Sequence, residues 1–359
     1  MPQTRNSTTF GFHTLNPAYQ GRLGGAIADI AQNGIKFDRV LKLFLLFILT
    51  VFLICACSGR SSLNSPNSGS LSPGSGCRVI QHAMGEACVP ANPQRLVVLS
   101  APTLSNVLAL GVQPVGTTSY DNTLAQLPSY LEGRMNGIEF VGYNEQPNLE
   151  KILRLKPDLI IGLEYSNKAI YSQLSQIAPT VLDDWVGYPS WKDHVNFVAE
   201  VLGKTEAAEQ VWKHYHQRIQ ELRVALGDRL QHLEVSFVHT CCGTVDIDLK
   251  NSFIGSILDD AGLRRPPPQN ATEEDGIVLL SEERLIDIDG DILFVATYDD
   301  ESTRTLEELK RKPLWNNLRA VQQGRVYRVD YSVWRGGNTL AANAVIDDLF
   351  KYLVENAQQ

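Results

Sequence analysis

The segment TEAAEQVWKHYHQRIQELRVAL, Thr205–Leu226, decides how the rest of the chain is arranged. Its apolar positions Ala208, Val211, Trp212, Tyr215, Ile219, Leu222 and Leu226 step by three and four, the spacing of one α-helical face. At 1.5 Å per residue the helix is about 33 Å long, enough to cross between two lobes. Gly203-Lys204 separates it from a preceding helix, Trp191–Leu202, and Thr205 reads as its cap.

On both sides of this helix, short apolar runs alternate with helical stretches. Before it, Leu96–Leu99, Pro114–Thr117, Asp158–Gly162 and Thr180–Leu182 read as strands, with Ser105–Leu110, Leu149–Leu155 and Lys168–Ile177 as helices. After it, Val235–Val238, Ile292–Val295 and Arg325–Val329 are the strands, and Ser252–Ala261, Ser281–Ile286, Thr305–Lys312 and Leu340–Val354 the helices. Continuous apolar strands between helices imply parallel sheets covered on both faces. The predicted fold class is α/β, two lobes each with a central mostly parallel sheet flanked by helices, bridged by one long α-helix. The predicted divisions are an N-terminal lobe at 77–203, the interlobe helix at 204–230 and a C-terminal lobe at 231–359.

The N-terminal region points to a location. Lys36, Arg39 and Lys42 precede an uncharged apolar run of 14 residues, Leu43–Ala56. That is short of the roughly 20 a membrane span needs and suits the apolar region of a secretory signal. Ile54-Cys55-Ala56-Cys57 looks like a bacterial lipobox, with Cys57 the residue to be acylated after cleavage. The alternative is an uncleaved anchor helix; either way the remainder faces outward from the membrane. Residues 57–76, rich in Ser, Gly and Pro, form a tether that cannot build a core. The polar residues 1–35 are unusual ahead of a signal and fit translation starting nearer Lys36. No Met lies between Met1 and Met84, so such a start would use another codon. Residues 1–56 are thus read as an extension plus signal peptide.

Without residues 1–56, 303 residues remain, with 27 Lys and Arg against 38 Asp and Glu. A charge of −11 argues against nucleic acid as a partner. Cys77 and Cys88 flank a short hairpin turning near Gly85; a disulfide outside the cytoplasm and two free thiols both suit that spacing. The adjacent Cys241-Cys242 read as two small buried hydrophobes at a strand end, because a vicinal disulfide is strained. Gly203-Lys204-Thr205 lacks the first glycine of a phosphate loop, since position 198 is Val198. The scattered histidines offer no zinc cage. Asp287, Asp289 and Asp291 mimic a calcium loop, but Ile292 stands where glycine is required, so they read as a solvated loop. Cys241 with His239 as base is a conceivable nucleophilic pair without an oxyanion signature.

Several separated motifs carry a resemblance. Pro93–Leu99 and Pro147–Ile160 in the first lobe, then Lys250–Gly255, Leu280–Leu285, Pro313–Trp315 and Gly324–Tyr327 in the second, resemble the ferric-siderophore and cobalamin binding proteins of ABC importers. The resemblance spans roughly residues 77–355. It implies two lobes hinged little, a ligand in the cleft between them, and one glutamate per lobe for arginine pockets of a permease. By motif these are Glu150 and Glu283, with Glu282 the competitor for Glu283. It also implies ligand contacts from Tyr120, Asn144, Tyr165, Trp185, His239, Tyr298, Trp334 and Arg335, with Trp334-Arg335 the foremost pair.

His239 stands where related proteins for dicarboxylates often carry arginine, which favours a weakly charged, hydroxamate-type complex. The expected function is capture of a ferric siderophore by a lipid-anchored, monomeric protein outside the cytoplasmic membrane, and its delivery to an ABC permease and ATPase. No covalent chemistry, cofactor or protein metal site is expected, iron arriving already chelated. The rival readings are cobalamin or haem as ligand, an extracytoplasmic sensor, or an enzyme using Cys241 or His239.

Overall fold

The computed structural model describes residues 76–119, 128–185 and 187–355. The lipobox with Cys57, the tether up to residue 75 and Tyr120 lie outside the described residues. Among those described, no helix is long and apolar enough to cross a membrane.

The described chain opens with a hairpin, β1 (Cys77–His82) against β2 (Gly85–Pro90), closed by a Cys77–Cys88 disulfide with Cα atoms 5.6 Å apart. Of the two states open for these cysteines, the bonded one is found. The hairpin covers the edge of the first sheet, the Ala83 amide donating to the Leu182 carbonyl, which protects an otherwise open strand edge.

The first lobe is built on β3 (Leu96–Val98), β4 (Gly116–Ser119), β5 (Glu139–Tyr143), β6 (Leu159–Leu163) and β7 (Thr180–Asp183), in the order β5-β4-β3-β6-β7. Every neighbouring pair is parallel. The second lobe uses β8 (Val235–Cys241), β9 (Thr244–Asp248), β10 (Ile277–Leu279), β11 (Ile292–Thr297) and β12 (Val326–Asp330), in the order β10-β9-β8-β11-β12. Here β8, β11 and β12 run parallel, and β9 and β10 add an antiparallel edge. The expected two-lobed α/β architecture is therefore found. In both sheets the winding direction reverses once, between β3 and β6 and between β8 and β11. Crevices at such reversals, beyond the carboxyl ends of the strands, are where open α/β sheets bind ligands.

The long helix runs Thr205–Leu226, as its periodicity predicts. Ala208 joins the first lobe's core with Val98, Leu104, Val198 and Leu202. Tyr215, Ile219, Leu222 and Leu226 join the second lobe's core with Phe237, Phe253, Trp334 and Ile346. Trp191 sits between, edge-on to Phe253 at 5.2 Å and tilted against Trp212 at 5.5 Å, its indole N–H donating to Ser256 Oγ at 2.9 Å. Lys192 and the Tyr215 hydroxyl both reach Asp260 at 2.6 Å.

Several local expectations are corrected. Thr205 is the first helical residue; Lys204 holds the cap position without a side-chain cap. Two helices begin earlier than expected because polar caps start them: Ser100 caps Ala101–Ala109 and Asp299 caps Asp300–Lys310. Segment Glu282–Ile288 is 3₁₀ rather than α-helical. Strands β5, β9 and β10 escaped the apolar pattern because they are short and mostly only part-buried. The aspartates read as a solvated loop are paired. Asp289, Asp291 and Glu234 surround the Arg319 guanidinium at 2.7–3.2 Å, and Asp287 pairs with Arg284 at 2.6 Å. Nor are Cys241 and Cys242 buried; Cys242 is exposed in the β8–β9 turn.

Trp191, 1% exposed, comes from the first lobe and packs on Phe253 of the second and on Trp212 and Tyr215 of the bridging helix. Trp191→Ala should lower stability by ~3–5 kcal/mol, the usual cost of removing a buried aromatic. Urea unfolding would show this as a lower midpoint, with the Ser256→Ala variant much closer to the parent.

Candidate functional site

Beyond the strand ends, where open α/β sheets bind ligands, each lobe gathers a group of candidate side chains, here called its wall. On the first-lobe wall, three buried side chains lock the ends of β4, β5 and β6. The Thr118 hydroxyl donates to Asn144 Oδ1 at 2.7 Å, and Asn167 Nδ2 donates to the Asn144 carbonyl at 2.9 Å. Asn167 Oδ1 accepts the Leu163 amide at 3.1 Å. Gly162 is required here, because a Cβ would collide with the Asn167 amide.

Beyond β7, buried Asp183 holds His194 Nδ1 in a short hydrogen bond, and His194 Nε2 meets Thr103 Oγ1 at 3.0 Å. Trp185 stacks on the His194 ring, centroids 4.8 Å apart and planes 14° from parallel. The indole is thus held by a ring that is itself held at both nitrogens. Tyr165, on the single turn Glu164–Asn167 after β6, is 53% exposed.

The second-lobe wall centres on a buried ion cluster. His239 on β8 lies 2.8 Å from Asp248 through Nδ1 and 3.7 Å from Asp246 through Nε2. One Arg335 nitrogen, Nη1, reaches the two Asp248 oxygens at 3.0 and 3.1 Å. Burial by itself would raise the Asp248 pKa; Arg335 and then His239 outweigh it and hold the carboxyl below its ordinary 3.8. Tyr331 lies edge-on to His239 at 5.6 Å and to Tyr298 at 5.1 Å, and Tyr298 is 53% exposed.

The structure thus groups Asn144 with Thr118 and Asn167, Trp185 with His194, and His239 with Arg335 and, through Tyr331, Tyr298. Trp334 is a correction. It is fully buried among Phe237 and Phe294, and its indole N–H donates to Asp348 at 2.8 Å, so it is core and not cleft surface. Trp334 ends a single helical turn, Tyr331–Trp334, and there the neighbouring Trp334 and Arg335 side chains project differently. Arg335 is also buried, its charge met by Asp248. Sequence reasoning missed Asp183, His194, Asp248 and Tyr331. The strand-end position of Asp183 was a usable signal, whereas the pairing of Asp248 with His239 exists only through the unforeseen β9.

Glu150 is exposed in the first turn of the Leu149–Leu155 helix, which Asn148 caps by accepting the Lys151 amide at 2.9 Å. Glu283 is exposed on the other lobe, its pKa lowered by a backbone amide and then by the Ser281 hydroxyl. Glu282 is bound to Lys312 at 2.6 Å.

Comparison with known proteins identifies the family. Residues 96–332 match the family described as periplasmic binding protein. The chain is 34% identical over 334 residues to the probable siderophore-binding lipoprotein YfiY of Bacillus subtilis (strain 168), covering 88% of this chain and 98% of that one. It is 31% identical to the Fe(3+)-citrate-binding protein YfmC of the same organism, covering 83% and 91%. Staphylococcus aureus SirA complexed with staphyloferrin B superposes with a TM-score of 0.68 at 29% identity, covering 77% of this chain and 98% of that one. The chain belongs to the periplasmic binding protein family. It is a substrate-binding protein of the importer type and not an enzyme, so the nucleophilic reading of Cys241 and His239 falls away.

A depressed folded-state pKa contributes stability above the unfolded value and loses it as pH falls through the folded value. Asp248→Asn should therefore cost ~3–5 kcal/mol near pH 7, where it strands Arg335 in the interior. The gap to the parent should narrow below the ordinary carboxyl value of 3.8. Chemical unfolding of both proteins across acidic to neutral pH would measure this.

Proposed function

We propose that this protein captures a ferric siderophore in the crevice between its lobes and hands it to an ABC permease. What supports this reading is the gathering of aromatic and hydrogen-bonding side chains beyond the strand ends of both sheets. Trp185, Tyr165 and Asn144 face the crevice from one lobe, and Tyr298 and the His239 cluster from the other. Tyr120 is proposed as a further ligand contact on the strength of its motif alone. Relatives named for siderophore and ferric-citrate binding, and the SirA complex with staphyloferrin B, support the ligand class. Arg335 is already neutralised by Asp248, which favours an iron complex of low net charge such as a ferric hydroxamate. Iron enters as cargo inside its chelate, with no resident cofactor.

For delivery, Glu150 and Glu283 dock to arginines of the permease. Carboxylate–arginine pairs suit this because they are bidentate and directional. Each glutamate has an exposed apolar residue one turn on: Leu153 at 59% and Ile286 at 68%. Each lobe thus presents the same epitope of one acid and one apolar contact. Cys57 is the lipid attachment point, 57–76 the tether, 77–203 and 231–359 the lobes and 204–230 their bridge. The protein works as a monomer outside the cytoplasmic membrane, and a Cys57→Ala variant would be released in soluble form.

Tryptophan fluorescence titration with ferric hydroxamates, ferric catecholates, ferric citrate, haemin and cobalamin tests the ligand. Saturable submicromolar quenching by one iron chelate, weakened in Trp185→Phe, is expected. Selective binding of cobalamin or haemin, or of nothing, would overturn the reading.

Docking is tested separately. Glu150→Ala and Glu283→Ala should each weaken docking affinity about tenfold or more, the scale of one lost charge-assisted contact. Siderophore-dependent growth should slow while siderophore affinity stays unchanged. Normal growth in the double variant would argue for a sensor instead.

A further inference from the structure

The β8–β9 turn carries chemistry that siderophore capture leaves unused. Cys241 pairs with Thr244, so Cys242 and Gly243 make a two-residue loop with φ of 57° and 78°. Positive φ at both positions is type I′ geometry, which selects Asn-Gly or Gly-Gly. A cysteine at the first position is conformationally unfavourable, and here it is held there. Its sulfur lies 2.6 Å from that of Cys241, near the covalent distance of about 2.05 Å. Cys242 is exposed, whereas Cys241 is part-buried. The pair adjoins the second-lobe wall, since Tyr331 hydrogen-bonds Cys241 and packs against His239 and Tyr298.

We propose that Cys241 and Cys242 are an oxidation site on the rim of the ligand crevice, closing a vicinal disulfide that alters the wall beside Tyr331. The effect on ligand rests on the functional reading above; the oxidation itself does not. The oxidant is a small-molecule disulfide. Cys242 is exposed and Cys241 part-buried, so the first attack falls to Cys242, which gives up its proton as it attacks. It displaces one thiol of the oxidant and forms a mixed disulfide. Cys241 then gives up its proton, attacks Cys242 Sγ and expels the second thiol. The protein loses two electrons and two protons, and the oxidant gains both and leaves as two thiols. Two S–H donors next to Tyr331 become one rigid, apolar S–S edge.

The test treats the full chain with oxidised glutathione or with dithiothreitol and maps its peptides by mass after alkylation. The peptide holding Cys241 and Cys242 should lose two hydrogens after oxidation and take up two alkyl groups after reduction. A peptide that stays doubly alkylated after oxidant, or that keeps glutathione on Cys242, overturns the proposal. Siderophore titration of both forms should then differ by about threefold or more in Kd, the scale of one altered polar contact. The Cys241→Ser, Cys242→Ser double variant should show no such difference. Equal affinity of the two forms of the parent would overturn the role at the crevice. Closure without any siderophore binding would support the oxidation site and sink the functional reading instead.

Discussion

Everything in this protein depends on one element, the Thr205–Leu226 helix, belonging to two cores at once. Ala208 is buried in the first lobe and Tyr215 through Leu226 in the second, so neither lobe can move without stripping apolar surface from the same rigid rod. Asp260 adds a directional lock at the crossing, accepting from Lys192 and from the Tyr215 hydroxyl. The start of the last helix makes a second tie. The Thr339 amide donates to Asn106 Oδ1 at 3.4 Å, and Leu340 packs against the first lobe's core. Two separated crossings resist rotation in a way that a flexible linker of the same length cannot. The relative placement of the two sheets' strand ends is therefore set in advance.

Pre-shaping explains the construction of the walls. Both place a histidine in the interior and fix it with carboxylate, Asp183 for His194 and Asp248 for His239. In each case an aromatic residue rests on the fixed ring, Trp185 on one side and Tyr331 on the other. A buried charge cluster is costly to desolvate, so its value here lies in orientation. It sets the attitude of the aromatic surfaces without spending an exposed charge on them. The same economy leaves the acidic residues of the outer faces, Glu150 and Glu283, available for a partner.

The lobes were legible because their main strands are continuous apolar runs, and because the bridging helix repeats its apolar face over six turns (about 3.6 residues each). Leu149–Leu155, Trp191–Leu202 and Thr205–Leu226 begin and end where their patterns say. What failed was short, part-exposed or capped. Strands β9 and β10 end the second sheet and are mostly only part-buried, and Cys242-Gly243 makes a type I′ turn without the usual Asn-Gly signal.

By itself, then, the sequence determined the lobes, the bridge, the family and the two outward glutamates, since these rest on periodicity and on motifs contiguous along the chain. Only the tertiary structure decided which candidates are buried and what each one pairs with. Trp334 and Arg335 are adjacent in sequence, yet one fills the core beside Phe294 and the other neutralises Asp248, 87 positions away. Side-chain direction at the end of a single helical turn depends on which partner is packed against it, and that partner arrives from a distant strand. No local pattern encodes that choice.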